Sequence, residues 1–348
     1  MPDRPRLTPA IADVRRAVRG ALVGLEPDAL VLVALSGGPD SLALAAATAF
    51  EAPRAGMRAG AVIVDHGLQS GSADVAARAA QQATALGLAP VRVERVSVGA
   101  AAGSGGGPEA AARTARYAAL EGAASELGAS AVLLAHTLDD QAETVLLGLV
   151  RGSGAASLQG MPAQRSAASG RLVLLRPLLA IRRTTTVQAC SDAGLEPWID
   201  PQNSDPAFTR VRVRTTVLPL LEAELGPGVA EALARTADQL REDAEALDSF
   251  ADELAEDLAE HAEAGISLDV PALAANPPAV RQRLIRLAVS SEFGIALSRQ
   301  QTLEVARLIT DWHGQKSVDL PGVRVVRRGG RLQFGARPSE SKGNDGTA

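Results

Sequence analysis

Val31-Leu32-Val33-Ala34-Leu35-Ser36-Gly37-Gly38-Pro39-Asp40-Ser41 is an apolar, strand-forming run that ends in a glycine turn, and a helical run from Leu42 to Phe50 follows directly. A buried strand that delivers a glycine turn to a helix N-terminus builds an anion site, because unpaired N–H groups and the positive end of the helix dipole face outward. Gly37 and Gly38 allow close backbone approach to an anion and, where needed, a positive φ. Ser36 and Ser41 add hydroxyl donors. Asp40 repels bare phosphate, so its presence points to a helix cap, a bound cation such as Mg2+, or both. A capped strand–turn–helix corner accounts for two adjacent glycines but not for the whole hexad. No Gly-Lys-Ser/Thr follows the turn, so this is not a Walker loop.

Outward from this stretch, strands at 60–64, 90–96 and 131–135 alternate with helices at 40–50, 72–87, 109–127 and 138–150. That rhythm predicts an α/β fold with a doubly wound parallel sheet. Such sheets bind ligands beyond the carboxyl ends of their strands. Ser36, Asp65 and His136 each follow directly on a strand and are expected to gather on that edge. Residues 151–175 read as a loop or hairpin, 182–194 as a helix, and 211–262 and 278–312 as helical. A hairpin is expected near 316–335, with turns at Pro321-Gly322 and Gly329-Gly330. Gly99–Pro108 reads as a mobile loop and the tail from Arg337 as disordered.

At 348 residues the chain is expected to form two domains. No long apolar run suggests a membrane span, and the N-terminal residues do not read as a signal peptide, so the expected compartment is the cytoplasm. The one cysteine, Cys190, excludes an internal disulfide framework. Net charge is −5, which argues weakly against nucleic acid, but charge is unevenly spread. Eight arginines between Arg165 and Arg214 face four acids, whereas thirteen acids between Glu222 and Glu260 face only Arg235 and Arg241.

Three further constellations carry chemistry. Asp65-His66 follows a strand on the edge where an adenine or ribose would lie; a helix cap and an ordinary surface histidine are the plainer reading. Arg113 and Arg116 are three apart and share a helix face, as does Glu109, four before Arg113; a solvated ion-pair face explains these equally well. Asp140 and Glu143 sit three apart in the first turns of a helix, with His136 at the preceding strand end. Acids there complement the helix dipole. Such a cluster can also hold Mg2+ or an ammonium group, or take up a proton.

The hexad Ser36–Ser41 resembles the Ser-Gly-Gly-x-Asp-Ser loop of the PP-loop ATP pyrophosphatase superfamily. The order and spacing of the four blocks resemble one branch of it, the tRNA(Ile)-lysidine synthases. The likeness extends through Arg176-Pro177-Leu178, Trp198–Asp205 and Phe208-Thr209-Arg210 to Val217-Leu218-Pro219-Leu220, and more weakly to Gln282–Arg286 and Val318–Gly322. Where the family often has Asn and His, this chain has Val211 and Thr215. The resemblance implies a catalytic PP-loop domain over 1–217, a mainly helical tRNA-binding domain with a C-terminal hairpin over 218–336, and a tail over 337–348. It implies ATP and Mg2+ as cofactors, and L-lysine and a tRNA(Ile) with a CAU anticodon as partners, with no membrane; a homodimer stays open. ATP would adenylate the C2 oxygen of the wobble cytidine, and lysine would displace AMP.

By the same resemblance, Ser36, Gly37, Gly38, Pro39, Asp40, Ser41, Asp65 and His66 would bind the nucleotide, with Asp40 on Mg2+. Asp40, Arg113, Arg116, His136, Asp140 and Glu143 would serve the chemistry. Arg176, Arg210, Arg212 and Arg214 would meet RNA phosphates. A PP-loop base thiolase, a PP-loop synthetase acting on a small metabolite and a non-catalytic nucleotide-binding module are the rivals. Lone Cys190 disfavours the first, the long region after residue 150 the second, and Asp140, Glu143 and Arg113 together the third.

Overall fold

The computed structural model describes residues 7–67, 71–96, 107–152, 154–167, 170, 172–262 and 265–337. The expected Gly99–Pro108 loop and the tail beyond Arg337 therefore lie almost wholly outside the described residues. The chain divides into two compact units, Met1–Leu240 and Arg241–Ala348.

The first unit carries a six-stranded sheet in the order β3-β2-β1-β4-β6-β5. Its strands are β1 (Leu30–Ala34), β2 (Arg58–Asp65), β3 (Val91–Arg95), β4 (Ala131–Leu133), β5 (Gln164–Ser166) and β6 (Val173–Leu175). All pair in parallel except β5, which runs antiparallel to β6 at the edge. Helices α1 (Pro9–Leu22), α2 (Pro39–Arg54), α3 (Ser72–Ala85), α4 (Gly107–Leu127), α5 (Leu138–Arg151), α6 (Ala155–Leu158) and α7 (Arg183–Asp192) connect or cover these strands. The stretch read as a loop or hairpin is thus a short helix and a hairpin whose second strand extends the main sheet.

Strand β1 explains the layering. Its side chains alternate between faces. Val31 and Val33 join a core with α1, α2, α3 and α7, while Leu30 and Leu32 join a second core with Leu120, Ala123 and Ala124 of α4. A strand covered on both faces reads as a continuous apolar run, as this one does. Chain order reverses between β1 and β4, so the turn after β1 opens at the topological switch point.

Strand β2 tolerates only glycine at position 60. A Cβ there would lie 2.5 Å from the Pro90 carbonyl oxygen and 2.8 Å from Leu32 Cδ2. Backbone cannot yield as a flexible side chain can, so Gly60→Ala should destabilise the fold by about 1–3 kcal/mol. A denaturant titration with an unchanged midpoint would contradict that packing.

Beyond α7 the chain continues through α8 (Thr209–Arg212), a π-helical turn at Val213–Val217, α9 (Leu218–Leu225) and α10 (Val229–Leu258). The π turn has a covalent cause. Pro219 lacks the N–H that would bond the Thr215 carbonyl, and the Leu218 N–H bonds Val213, five residues back. Val213, Leu218, Ala230 and Ala234 pack on Leu138 and Ala142 of α5, which fixes this segment against that helix.

The second unit is less helical than expected. It holds a five-stranded antiparallel sheet, β7-β8-β11-β10-β9, with α11 (Val270–Ala275), α12 (Pro278–Phe293) and α13 (Arg299–Thr310). The C-terminal part, read as one hairpin, forms three strands, β9 (Val318–Leu320), β10 (Val323–Arg328) and β11 (Arg331–Ala336). Strands β7 (Ala259–Ala262) and β8 (Gly265–Asp269) were hidden because Ala259-Glu260-His261-Ala262 prolongs the composition of α10 without a break.

Candidate active site

The turn after β1 is held open by its own hydroxyls. The Ser36 N–H donates to Ser41 Oγ at 3.2 Å, the Ser41 hydroxyl donates to the Gly38 carbonyl at 3.0 Å, and the two hydroxyl oxygens lie 3.1 Å apart. Gly37 has φ +82°, where a side chain is strained. Gly38 is the N-cap of α2 and Pro39 opens the helix, with no side chain capping the first turn. The first-turn N–H groups have no intrahelical acceptor, so the arrangement suits an anion such as a polyphosphate. The Trp198 N–H bonds the Gly37 carbonyl at 2.9 Å, which places the start of the 198–205 motif on this loop.

Asp40 does not cap the helix. One carboxylate oxygen accepts from the Thr186 hydroxyl and the other from Arg183 Nε at 3.3 Å. Burial pushes its pKa up, against the opposing pull of Thr186 and Arg183.

Asp140 divides its oxygens between two tasks. Oδ2 accepts from the Thr137 N–H at 2.8 Å, closing a capping box at the start of α5. Oδ1 accepts from Arg183 at 2.8 Å and from Arg214 at 3.3 Å. The helix-cap reading therefore holds for one oxygen, while the other faces the arginines. Burial would raise the Asp140 pKa, but Arg183 and the Thr137 N–H hold it below the usual carboxylate range.

Glu143 is fully buried and receives three guanidinium groups: Arg214 at 2.7 Å, Arg210 at 2.8 Å and Arg183 at 3.4 Å. Arg210 also donates to Thr144 Oγ1 at 2.9 Å. Arg210 and Arg214 converge because the helical segment carries both on the face that packs on α5. Of the two departures, Val211 directly follows Arg210 and Thr215 directly follows Arg214. Val211 is buried, and the Thr215 hydroxyl donates to the Val211 carbonyl at 2.9 Å.

Sequence reasoning missed Arg183, Thr186 and Arg182. Arg182 reaches Glu231 at 3.0 Å and Asp139 at 3.3 Å, and the Arg183 N–H bonds Asp139 at 2.7 Å. A usable signal was present. Two arginines open α7 with no acid in its first turn, against the helix dipole, and such a placement needs carboxylates from elsewhere.

Asp65 ends β2, accepts from the Gly67 N–H at 3.0 Å and pairs with Arg95 at 3.3 Å. The Ser72 hydroxyl and the Gly67 N–H hold its pKa down. Arg116 Nε donates to His66 Nε2 at 3.1 Å, so that imidazole is neutral, and burial and Arg116 both lower its pKa. Arg113 instead stacks on Tyr117. The side chain of Glu109 lies outside the described residues.

His136, expected to take up a proton or help stabilise charge, follows β4 and lies near Asp140. Burial presses its pKa down to about 4, with Asp140 opposing and Arg176 and Arg113 adding to the fall. It is neutral at pH 7 and can offer hydrogen bonds, not a charge. Its Nδ1, like that of His66, is buried without a hydrogen-bond partner. Unfolding frees His136 to bind a proton, so its contribution to stability is present above pH 6.5 and falls away as pH drops toward 4. The slope reaches about 1.4 kcal/mol per pH unit. His136→Gln should lose less stability than the wild type between neutral and mildly acidic pH in denaturant titrations. Equal losses would contradict the buried neutral imidazole.

The arginines expected at RNA phosphates differ in their surroundings. Arg176 is buried and donates to the Pro162 carbonyl at 2.8 Å, and Arg210 and Arg214 are spent on Glu143. Arg212 is exposed and donates to the Pro206 carbonyl at 2.6 Å.

The carboxylates do not form a ready cation cage. Asp40, Asp140 and Glu143 all bind arginine, and among the described residues no group of three or more His, Cys, Asp or Glu is placed to hold a metal. A resident Mg2+ at Asp40 does not fit this arrangement.

Residues 13–221 match the model of the PP-loop domain, and residues 268–333 match that of the TilS substrate binding domain. The chain is 66% identical over 311 residues to the tRNA(Ile)-lysidine synthase of Leifsonia xyli, covering 89% of this chain and 91% of that one. It is 55% identical over 323 residues to the tRNA(Ile)-lysidine synthase of Thermobifida fusca, covering 92% and 95%. Among solved structures, the U34-tRNA thiolase NcsA from Methanococcus maripaludis shares the fold, with a TM-score of 0.56 at 18% identity, over 67% of this chain and 80% of that one. Among the described residues, no helix is long and apolar enough to cross a membrane.

Proposed function

The chain belongs to the tRNA(Ile)-lysidine synthase family of PP-loop enzymes, and from that premise we propose that it ligates L-lysine to C2 of the wobble cytidine in the CAU anticodon of tRNA(Ile). The observation that carries this reading is a single site made from distant parts of the chain. The anion-ready turn after β1 and the acidic first turns of α5 are tied together by Arg183.

In this reading, the Ser36–Ser41 turn and the start of α2 receive the ATP phosphates. Asp65 and His66, at the end of β2, meet the adenosine. The cytidine C2 oxygen attacks the α-phosphorus, and pyrophosphate leaves. The unprotonated ε-amine of lysine then attacks C2, and AMP leaves with the C2 oxygen. Asp140 and Glu143 orient the amine, and His136 donates a hydrogen bond at the reacting edge. Arg113 and Arg116 offset charge developing there. A divalent ion enters with the ATP phosphates as part of that substrate. The target base must leave the anticodon stack to reach this edge. Residues 1–217 carry the chemistry and 218–336 bind tRNA, with Arg212 an exposed contact from the first unit.

Incubation with α-labelled ATP and a CAU-anticodon transcript, without lysine, should transfer label to the RNA. Added lysine should discharge it as AMP. RNA that never takes up label, or label that lysine fails to release, would contradict this order of steps.

A further inference from the structure

We propose that Arg183 is a positioning residue that couples the two small substrates, leaving Glu143 for the triphosphate when ATP binds and so opening the carboxylates to the lysine amine. This rests on the reading of Asp140 and Glu143 as the amine site.

The argument begins with charge. Around Glu143, Asp40, Asp140 and Glu143 are paired with Arg183, Arg210 and Arg214. Three carboxylates thus balance three guanidiniums. Glu143 is fully buried, and an ammonium entering beside it would add an uncompensated positive charge to a cluster already neutral. Uncompensated charge in such a setting is strongly unfavourable. A cation can enter only as another leaves, and a departing guanidinium needs an anion to receive it.

Geometry selects which one leaves. Of the three arginines on Glu143, Arg183 makes the longest contact, 3.4 Å against 2.7 and 2.8 Å. It alone also touches α2, through Asp40 at 3.3 Å, at the helix start where the phosphates are placed. Its backbone is pinned by the 2.7 Å bond to Asp139, so the side chain can swing while its root stays fixed. The guanidinium fork suits phosphate oxygens as well as carboxylates. Burial would lower its pKa, and Asp140, Asp40 and Glu143 more than reverse that, so it moves as a cation. Arg210 and Arg214 remain to hold Glu143 in place.

Titration calorimetry of L-lysine into the full chain, with and without a non-hydrolysable ATP analogue, tests this. In the wild type, lysine should bind about tenfold or more tighter with the analogue present, and the analogue should gain by the same factor from lysine. Arg183→Met should bind lysine without nucleotide, and the ratio should fall below about twofold. A merely structural role would lower both affinities and leave that ratio unmoved. Lysine affinity in the wild type that ignores the analogue overturns the coupling, and this arm needs no variant to fold. A wild-type ratio retained in folded Arg183→Met overturns it too. If nucleotide-independent lysine binding is lost in Asp140→Asn and Glu143→Gln, only the coupling fails. If lysine binding survives both substitutions undiminished, the amine site fails and the coupling with it.

Discussion

Asp40→Ala is expected to slow label transfer from ATP to RNA by on the order of a hundredfold to a thousandfold, the scale typical of losing one preorganised electrostatic partner. Asp40 stands in the first turn of α2, and its two oxygens hold Thr186 and Arg183, the groups that tie α7 to the phosphate turn. Without it, Arg183 keeps only its α5 partners and the helix start loses its fixed relation to them. The fold should persist, with a stability change of about 1–2 kcal/mol, because the side chain lies at the margin of the core. Asp40→Asn should recover part of the rate by keeping the hydroxyl contact. If Asp40→Ala labelled RNA at the wild-type rate, the carboxylate would have no part in the chemistry.

Glu143→Gln should strike the second step. The substitution leaves a neutral amide facing Arg183, Arg210 and Arg214 inside the protein. Removing one member of a buried ion pair costs about 3–5 kcal/mol. The arginines here are each about a quarter exposed, so solvent relieves part of this and a loss of about 2–3 kcal/mol is expected. Lysidine formation should fall on the order of a hundredfold or more, while RNA labelling without lysine falls only a few-fold. Equal loss in both steps would show that Glu143 shapes the nucleotide site and not the amine site.

What could be read in the sequence was local. Strand β1 and the hexad are contiguous, so their apolar run, turn and helix start are visible without knowledge of the fold. Asp140 and Glu143 are one helical turn apart, so their shared face follows from period alone, and Arg183 and Arg214 each contact both. What could not be read lies across long separations. Arg183 meets Asp40 across 143 positions, and Arg214 meets Glu143 across 71. Composition made the arginines between 176 and 214 look like a solvent-facing basic stretch. Folding instead turns Arg176 into a buried donor to Pro162 and carries Arg210 and Arg214, four apart on one helical segment, onto Glu143. The 151–175 stretch stayed between loop and hairpin for a different reason. β5 and β6 are three residues each, too short for alternation to register.

The account stands on lysine becoming joined to a cytidine base. The most direct measurement is mass spectrometry of the nucleosides of a tRNA(Ile) transcript with a CAU anticodon, after incubation with the full chain, ATP and L-lysine. The expected result is a wobble cytidine heavier by lysine less one water, seen only when ATP and lysine are both present. An unmodified cytidine under those conditions, or a base carrying sulfur in place of oxygen when a sulfur donor is supplied, would contradict it.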